Sequence, residues 1–268
     1  MPDSTTLERP RFEPLGFSRE RFAAAAAEQE FAGVLLTSPE NVFYTTGYTV
    51  LPSAGNPILY TLRSRLPAFA YVDVEGTVKL LCWGFSAQGV EFGVDEVIGF
   101  DRYAQALEAL EGVLRAGRPG RLAVESTCPR FVLQTIERAG RAGDVADADG
   151  LIGGLRLIKS PAEIDALRRS TELIEKTVAE LYGVLEPGMS RLALMNEARH
   201  RMIANGATGI SHITFAFARQ NPEFAIDEPL DPGRLATLDL GAIVDGYCSD
   251  NRRYAYAGDI PASLVERY

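Results

Sequence analysis

The chain has 268 residues, 46% hydrophobic and 24% charged, a balance that fits globular structure with room for two domains and excludes a disordered chain. A formal net charge of −9, from 27 Lys and Arg against 36 Asp and Glu, leaves no basic footprint for nucleic acid. No run approaches the ~20 apolar residues of a membrane span, the polar residues 1–11 have no signal-peptide pattern, and three widely spaced cysteines (Cys82, Cys128, Cys248) make no disulfide framework, so the expected setting is a reducing cytoplasm.

Residues 18–30 join a serine start to a run of strong helix formers and predict a helix. A short apolar strand is expected over 33–37. Ser38 then offers an N-cap and Pro39 an N1 residue for a helix over 39–46. Two alternating runs, 68–74 and 77–83, flank Glu75-Gly76 and predict a hairpin. Further on, 103–115 reads as a helix, 121–125 as a strand and 129–139 as a helix. Strands interleaved with helices give an α/β domain with a mixed sheet over residues 1–150.

The small, acidic and glycine-rich residues 144–154 are where the domain boundary is placed. After it, Ser160-Pro161-Ala162-Glu163 has the form of a capping box. The helix that follows is expected to turn Ile164, Leu167, Ile174, Val178, Leu181 and Leu185 onto a sheet. Pro187-Gly188 ends it, and Ser190 caps a second helix running to about Asn205. Strands are expected over 210–219, 235–244 and 247–257, so residues 151–268 form an α+β domain. Residues 261–268 read as the first turns of a helix too short to stand alone, which suggests an incomplete domain.

Residues 235–256, LATLDLGAIVDGYCSDNRRYAY, carry the chemistry. Asp245-Gly246 is a strong signal for a two-residue type I′ turn. That turn pairs Val244 with Tyr247, Gly241 with Asp250 and Asp239 with Arg252. Asp239, Gly241 and Asp250 then share one face, and the two carboxylates stand about 5–8 Å apart with Gly241 leaving space between them. Paired carboxylates suit hard or borderline cations. Solvated aspartates near a turn are the competing reading, but Asp239 sits between Leu238 and Leu240 in a strand body, where aspartate is depleted.

Asp239-Leu240-Gly241 followed by Gly246-Tyr247-Cys248-Ser249-Asp250, with the aspartates eleven positions apart, resembles the first two metal ligands of the pita-bread metallohydrolases. These are the prolidase, aminopeptidase P and creatinase family. Residues 155–174 are similar to that family's entry helix, and 34–48 to the start of its N-terminal domain. The resemblance implies a ribonuclease-H-like N-terminal domain, a pita-bread catalytic domain and a homodimer. It also implies Asp239 and Asp250 as metal ligands, with Mn, Co, Fe or Zn as the divalent metal. The implied chemistry is attack by a metal-bound hydroxide on an amide next to proline or a related C–N bond. The substrate would be a short peptide or small molecule, with no nucleic acid and no membrane partner.

The sequence departs from the family in three places. The family's remaining ligands, a histidine and two glutamates, lie further along than Tyr268. Residues 219–226 lack the family's substrate-binding histidine. Ser249-Asp250-Asn251-Arg252-Arg253 has arginine where the family has threonine. Arg252, directly across from Asp239, could pair with that carboxylate in place of a cation, or meet an anionic substrate. Two rivals follow: a metal-free, creatinase-like hydrolase, and an inactive fragment or non-catalytic binding or dimerisation module.

The remaining signals are local. His200 closes a helix, where a cation suits the dipole. His212, on the strand before the hairpin, reads either as a satisfied core histidine or as a catalytic pocket residue. Cys128 precedes Pro129 at a helix start, where a thiolate would be favoured, but no base accompanies it. Cys248 reads as a small apolar filler. Ser86 is not in a nucleophile elbow, and residues 150–154 are no phosphate loop.

Overall fold

The computed structural model describes residues 9–49, 61–217 and 227–266. These fall into two compact units, one running to Ala162 and the other starting at Glu163.

The first unit contains β1 (Arg11–Phe12), α1 (Arg19–Glu28), β2 (Phe31–Leu36), α2 (Pro39–Thr46), β3 (Phe69–Asp73), β4 (Val78–Trp83), β5 (Glu91–Phe92), β6 (Glu96–Phe100), α3 (Tyr103–Ala116), β7 (Arg121–Val124), α4 (Arg130–Arg138), β8 (Val145–Asp147) and α5 (Asp149–Leu157). The expected starts are in place: the Ser18 hydroxyl accepts from the Arg21 amide, and that of Ser38 from the Asn41 amide. α2 ends at Gly47, whose left-handed φ of 75° suits glycine. β3 and β4 pair antiparallel around Gly76, also left-handed at φ 86°.

Six strands form a mixed sheet in the order β6-β4-β3-β2-β7-β8. β3 runs antiparallel to both β2 and β4, while β6, β7 and β8 join their neighbours in parallel. Phe22, Val42, Leu151, Ile152 and Leu155 pack α1, α2 and α5 on one face, against Val34, Leu36, Val72 and Leu80. Leu110, Leu114, Val132 and Ile136 pack α3 and α4 on the other, against Leu35, Phe69, Leu81 and Leu122. The acidic, glycine-rich stretch around the expected boundary is not loose. Ala148, Leu151, Ile152 and Leu155 anchor it in the core as β8 gives way to α5.

The second unit follows α6 (Pro161–Tyr182) with α7 (Arg191–Ala204), β9 (Gly209–Phe217), β10 (Leu235–Val244), β11 (Tyr247–Cys248), β12 (Asn251–Tyr256) and the short α8 (Ala262–Val265). β10 is central, antiparallel to β9 on one side and to β11 and β12 on the other. Alternation along β10 sends Ala236, Leu238 and Leu240 into a core with Phe215 and Phe217 of β9, Ile174, Val178 and Leu181 of α6, and Leu194, Ala198 and Met202 of α7.

The buried stripe of α6 differs from the expected one. Ile164 is 46% exposed, and the buried residues include Glu163, Ala166, Ser170 and Thr177. Hydrogen bonds to the hairpin rotate the helix this way. Tyr247 donates to Glu163 at 3.0 Å, and the Ser170 hydroxyl donates to the Ala242 carbonyl at 3.0 Å. Burial of those polar groups is tolerated because each has a partner.

Glu125, at the end of β7, is 2% exposed and accepts from the amides and hydroxyls of both Thr37 and Ser38 and from Asn41 Nδ2. One carboxylate thus ties β7 to the start of α2. Replacing Glu125 with alanine strands several buried donors, and we expect a loss of roughly 3 kcal/mol in the stability of this unit. The single tryptophan, Trp83 on β4, reports it: the denaturant midpoint of its fluorescence should fall in Glu125→Ala.

Candidate functional site

The expected type I′ turn is present, with φ of 50° at Asp245 and 82° at Gly246. Val244 pairs with Tyr247 and Asp239 with Arg252, as the turn requires. The ladder is interrupted between those pairs. β11 ends at Cys248 and β12 begins at Asn251, so Gly241 and Asp250 are not ladder partners. The Ser249 amide donates to the Ala242 carbonyl at 3.0 Å, while the Ala242 amide turns to the Ser249 hydroxyl at 3.1 Å. That hydroxyl also meets Ser170 Oγ at 3.0 Å. A side-chain oxygen thus replaces a strand carbonyl, and Asp250 is set off the ladder.

Opposite, β9 has an irregularity of its own. Gly241 pairs with His212 and Ala242 with Ile210, leaving Ser211 as an extra residue in the bulge. Asp239, Gly241, His212 and Arg252 lie on the sheet face turned away from α6 and α7. Gly241 is required here: a Cβ would stand 2.1 Å from the Ser249 carbonyl oxygen and 2.7 Å from His212 Cε1. The imidazole therefore lies over the glycine and reaches both aspartates.

The sequence-predicted residues converge. His212 Nε2 is 3.5 Å from Asp239 Oδ1 and 3.5 Å from Asp250 Oδ1. Ligand atoms of His212, Asp239 and Asp250 all lie within 4.8 Å of one another. Asp239 is 15% exposed and Asp250 82% exposed. Arg252 donates to Asp239 Oδ2 from Nη2 at 2.6 Å and from Nε at 3.2 Å. That hydrogen bond holds the guanidinium even further above its ordinary pKa, so it is a permanent cation. The other oxygen, Asp239 Oδ1, is buried with no hydrogen-bond partner among the described residues. A buried carboxylate oxygen without a donor is costly, and it faces an imidazole nitrogen and a second carboxylate. That donor set fits a divalent metal.

Other readings change. His212 is no core histidine: its side chain is 28% exposed and its Nδ1 lies 3.2 Å from the Ser211 hydroxyl. His200 is exposed just before the last turn of α7. Cys248 is exposed, not a filler: it pairs with Ile243 at the end of β11, two residues before Asp250. Burial, then the Glu125 charge, pushes the Cys128 thiol up to about 12, so the thiolate expected at the start of α4 is disfavoured. Residues 219–226, which lack the expected histidine, lie outside the described residues. Sequence reasoning missed Ser170 and Ser211, each an ordinary serine on a surface-like pattern. Ser249 belongs to the aspartate motif, but nothing in the motif signals that its hydroxyl replaces a strand carbonyl.

The family described as Creatinase/Prolidase N-terminal domain matches residues 19–158, more than half of the chain, and Metallopeptidase family M24 matches 165–268. The chain belongs to the creatinase/prolidase family. An uncharacterized peptidase of Bacillus subtilis, YqhT, is 28% identical over 243 residues, covering 88% of this chain and 64% of that protein. An Xaa-Pro dipeptidase of Pyrococcus horikoshii is 24% identical over 239 residues, covering 88% of this chain and 62% of the relative. The chain thus spans somewhat under two thirds of these relatives' length. A solved prolidase from Pyrococcus horikoshii superposes with a TM-score of 0.74 at 21% identity, covering 92% of this chain and 67% of that one. The fold is therefore shared with prolidases, as the pita-bread resemblance implied. No helix among the described residues is long and apolar enough to cross a membrane.

The close approach at Gly241 and the burial of the thiols can each be tested. Gly241→Ala forces Cβ against a backbone oxygen that cannot swing aside, and we expect a loss of about 2 kcal/mol or more, read as a lower denaturant midpoint in far-ultraviolet circular dichroism. With its pKa about 12, Cys128 has a thiolate fraction of only about 10⁻⁴ at pH 8. Cys82, fully buried and also pushed up to about 12, is no better off. Mass spectrometry after brief iodoacetamide treatment at pH 8 should find Cys248 labelled before either.

Proposed function

We infer that this chain belongs to a metal-dependent peptidase of the Xaa-Pro type, hydrolysing an amide next to proline in a short peptide. The observation that carries this reading is the hairpin pair Asp239 and Asp250, with a buried, partnerless Asp239 oxygen, inside the segment that matches the M24 metallopeptidases.

In this reading Asp239 and Asp250 hold a divalent cation, Mn, Co, Fe or Zn. Such a cation supplies Lewis acidity, polarising a carbonyl and lowering the pKa of water. Positioning and charge balance fall to the protein's own residues. Ser249 and Ser170 fix the strand break that sets Asp250 near Asp239. Arg252 neutralises Asp239 Oδ2 and, being 59% exposed, also presents donors to an incoming carboxylate. The mixed sheet with helices on both faces supports a ribonuclease-H-like label for the first unit. Family resemblance supports a homodimer, and the three free cysteines support a cytoplasmic setting.

A second reading has its own observation. Arg252 already pairs with Asp239, so a metal-free, creatinase-like hydrolase in which the guanidinium replaces a cation is the alternative. Hydrolysis of Xaa-Pro dipeptides, assayed with Mn, Co or Zn and after chelation, separates the two. Under the first reading chelation abolishes activity, and Asp239→Asn lowers it by about a hundredfold or more. Activity untouched by chelation would establish the second.

A further inference from the structure

We propose that His212 is a direct ligand of the metal, so that β9 and the carboxylate hairpin together form a three-donor site for one cation. This rests on the metal-dependent reading above and adds a residue that the hairpin motif does not contain.

Three observations carry the proposal. First, His212 Nε2 stands 3.5 Å from one oxygen of each aspartate. This is too long for a hydrogen bond of ordinary strength. It is close to the ~3.4 Å edge of a tetrahedron whose donors lie about 2.1 Å from a shared centre. Second, the imidazole is oriented from behind. Ser211 Oγ lies 3.2 Å from Nδ1. With Nδ1 carrying the proton and donating to that hydroxyl, the Nε2 lone pair points toward the carboxylates. Metal-binding histidines commonly have such an outer partner. Third, the backbone makes room for it. The bulge at Ser211 puts His212 opposite Gly241, and the missing Cβ is what admits the ring.

The other groups around the site set its capacity. Arg252 takes Asp239 Oδ2, leaving that carboxylate one oxygen, Oδ1, to give. Three donors within 4.8 Å of one another suit a single cation, and the expected stoichiometry is one ion per chain. A nitrogen donor among carboxylates also shifts preference. Imidazole suits zinc and cobalt, whereas manganese is well served by carboxylate and water.

The test is isothermal titration calorimetry of zinc and of manganese into the chain and into His212→Ala, Ser211→Ala and Asp239→Asn, each first confirmed as folded by circular dichroism. Cobalt absorption spectra of the same proteins report the nitrogen donor directly. We expect near-stoichiometric zinc binding, weakened about a hundredfold in His212→Ala, with a smaller loss for manganese and a changed cobalt spectrum. Ser211→Ala should weaken zinc by about tenfold. If His212→Ala binds zinc as tightly as the parent and Asp239→Asn does not, the inference is wrong while the metal reading stands. If the parent binds neither metal, or Asp239→Asn changes nothing, the metal reading itself fails and the inference falls with it.

Discussion

Everything at the site depends on a local refusal of the β-ladder. From Asp245-Gly246 outward, a regular hairpin would continue with one residue opposite one, yet the chain leaves the ladder at Ser249 and Asp250. The break is possible because the Ala242 amide is not stranded by it. The Ser249 hydroxyl meets the Ala242 amide, and Ser170 on α6 meets both that hydroxyl and the Ala242 carbonyl. A helix whose buried stripe were wholly aliphatic could not do this, since the strand's polar groups would face hydrocarbon. The rotation of α6 that leaves Ile164 in solvent and buries Ser170 is therefore part of the site's construction, not an imperfection of packing.

Gly241 is the second half of the same constraint. The Ser249 carbonyl and the His212 ring both crowd the place a Cβ would take, so one absent side chain accommodates both the strand break and the imidazole. The consequence for Asp239 is an asymmetry between its two oxygens. Oδ2 is held by a guanidinium at 2.6 Å, and Oδ1 accepts no hydrogen bond among the described residues. A carboxylate arranged this way is oriented before any ligand arrives, which lowers the cost of organising a binding site.

Much of this was legible in the sequence wherever local chemistry decides structure. Ser18, Ser38 and Ser190 start helices because a side-chain oxygen can take an orphan amide. Asp245-Gly246 makes its turn because both residues tolerate positive φ. The pairing of Asp239 with Arg252 followed from that turn by counting. What counting could not reach was where the ladder stops, because that depends on Ser170, 79 residues away from Ser249 in sequence. The face of α6 was misjudged for the same reason: hydrophobic periodicity weighs Ile164 above Ser170, and only the partner strand reveals that a hydroxyl is needed. His212 was ambiguous because a lone histidine on an alternating strand has no sequence signature, and its role is set by a bulge in β9 and a glycine on the next strand.

The charges on this face sharpen the choice between the two functional readings. Asp239 and Asp250 bring two negative charges, Arg252 brings one positive charge, and His212 sits between the carboxylates. If Arg252 alone replaced a metal, it would be expected to serve both aspartates. It instead makes both of its hydrogen bonds at this site to one oxygen of Asp239, on the side away from Oδ1. The region enclosed by Asp239 Oδ1, Asp250 and Nε2 of His212 is left with lone pairs converging and no proton donor assigned to them. A protonated His212 would supply one proton to two acceptors at distances too long for either bond to be good. A cation satisfies all three donors at once. Arg252 is then better understood as the group that keeps Asp239 from turning away.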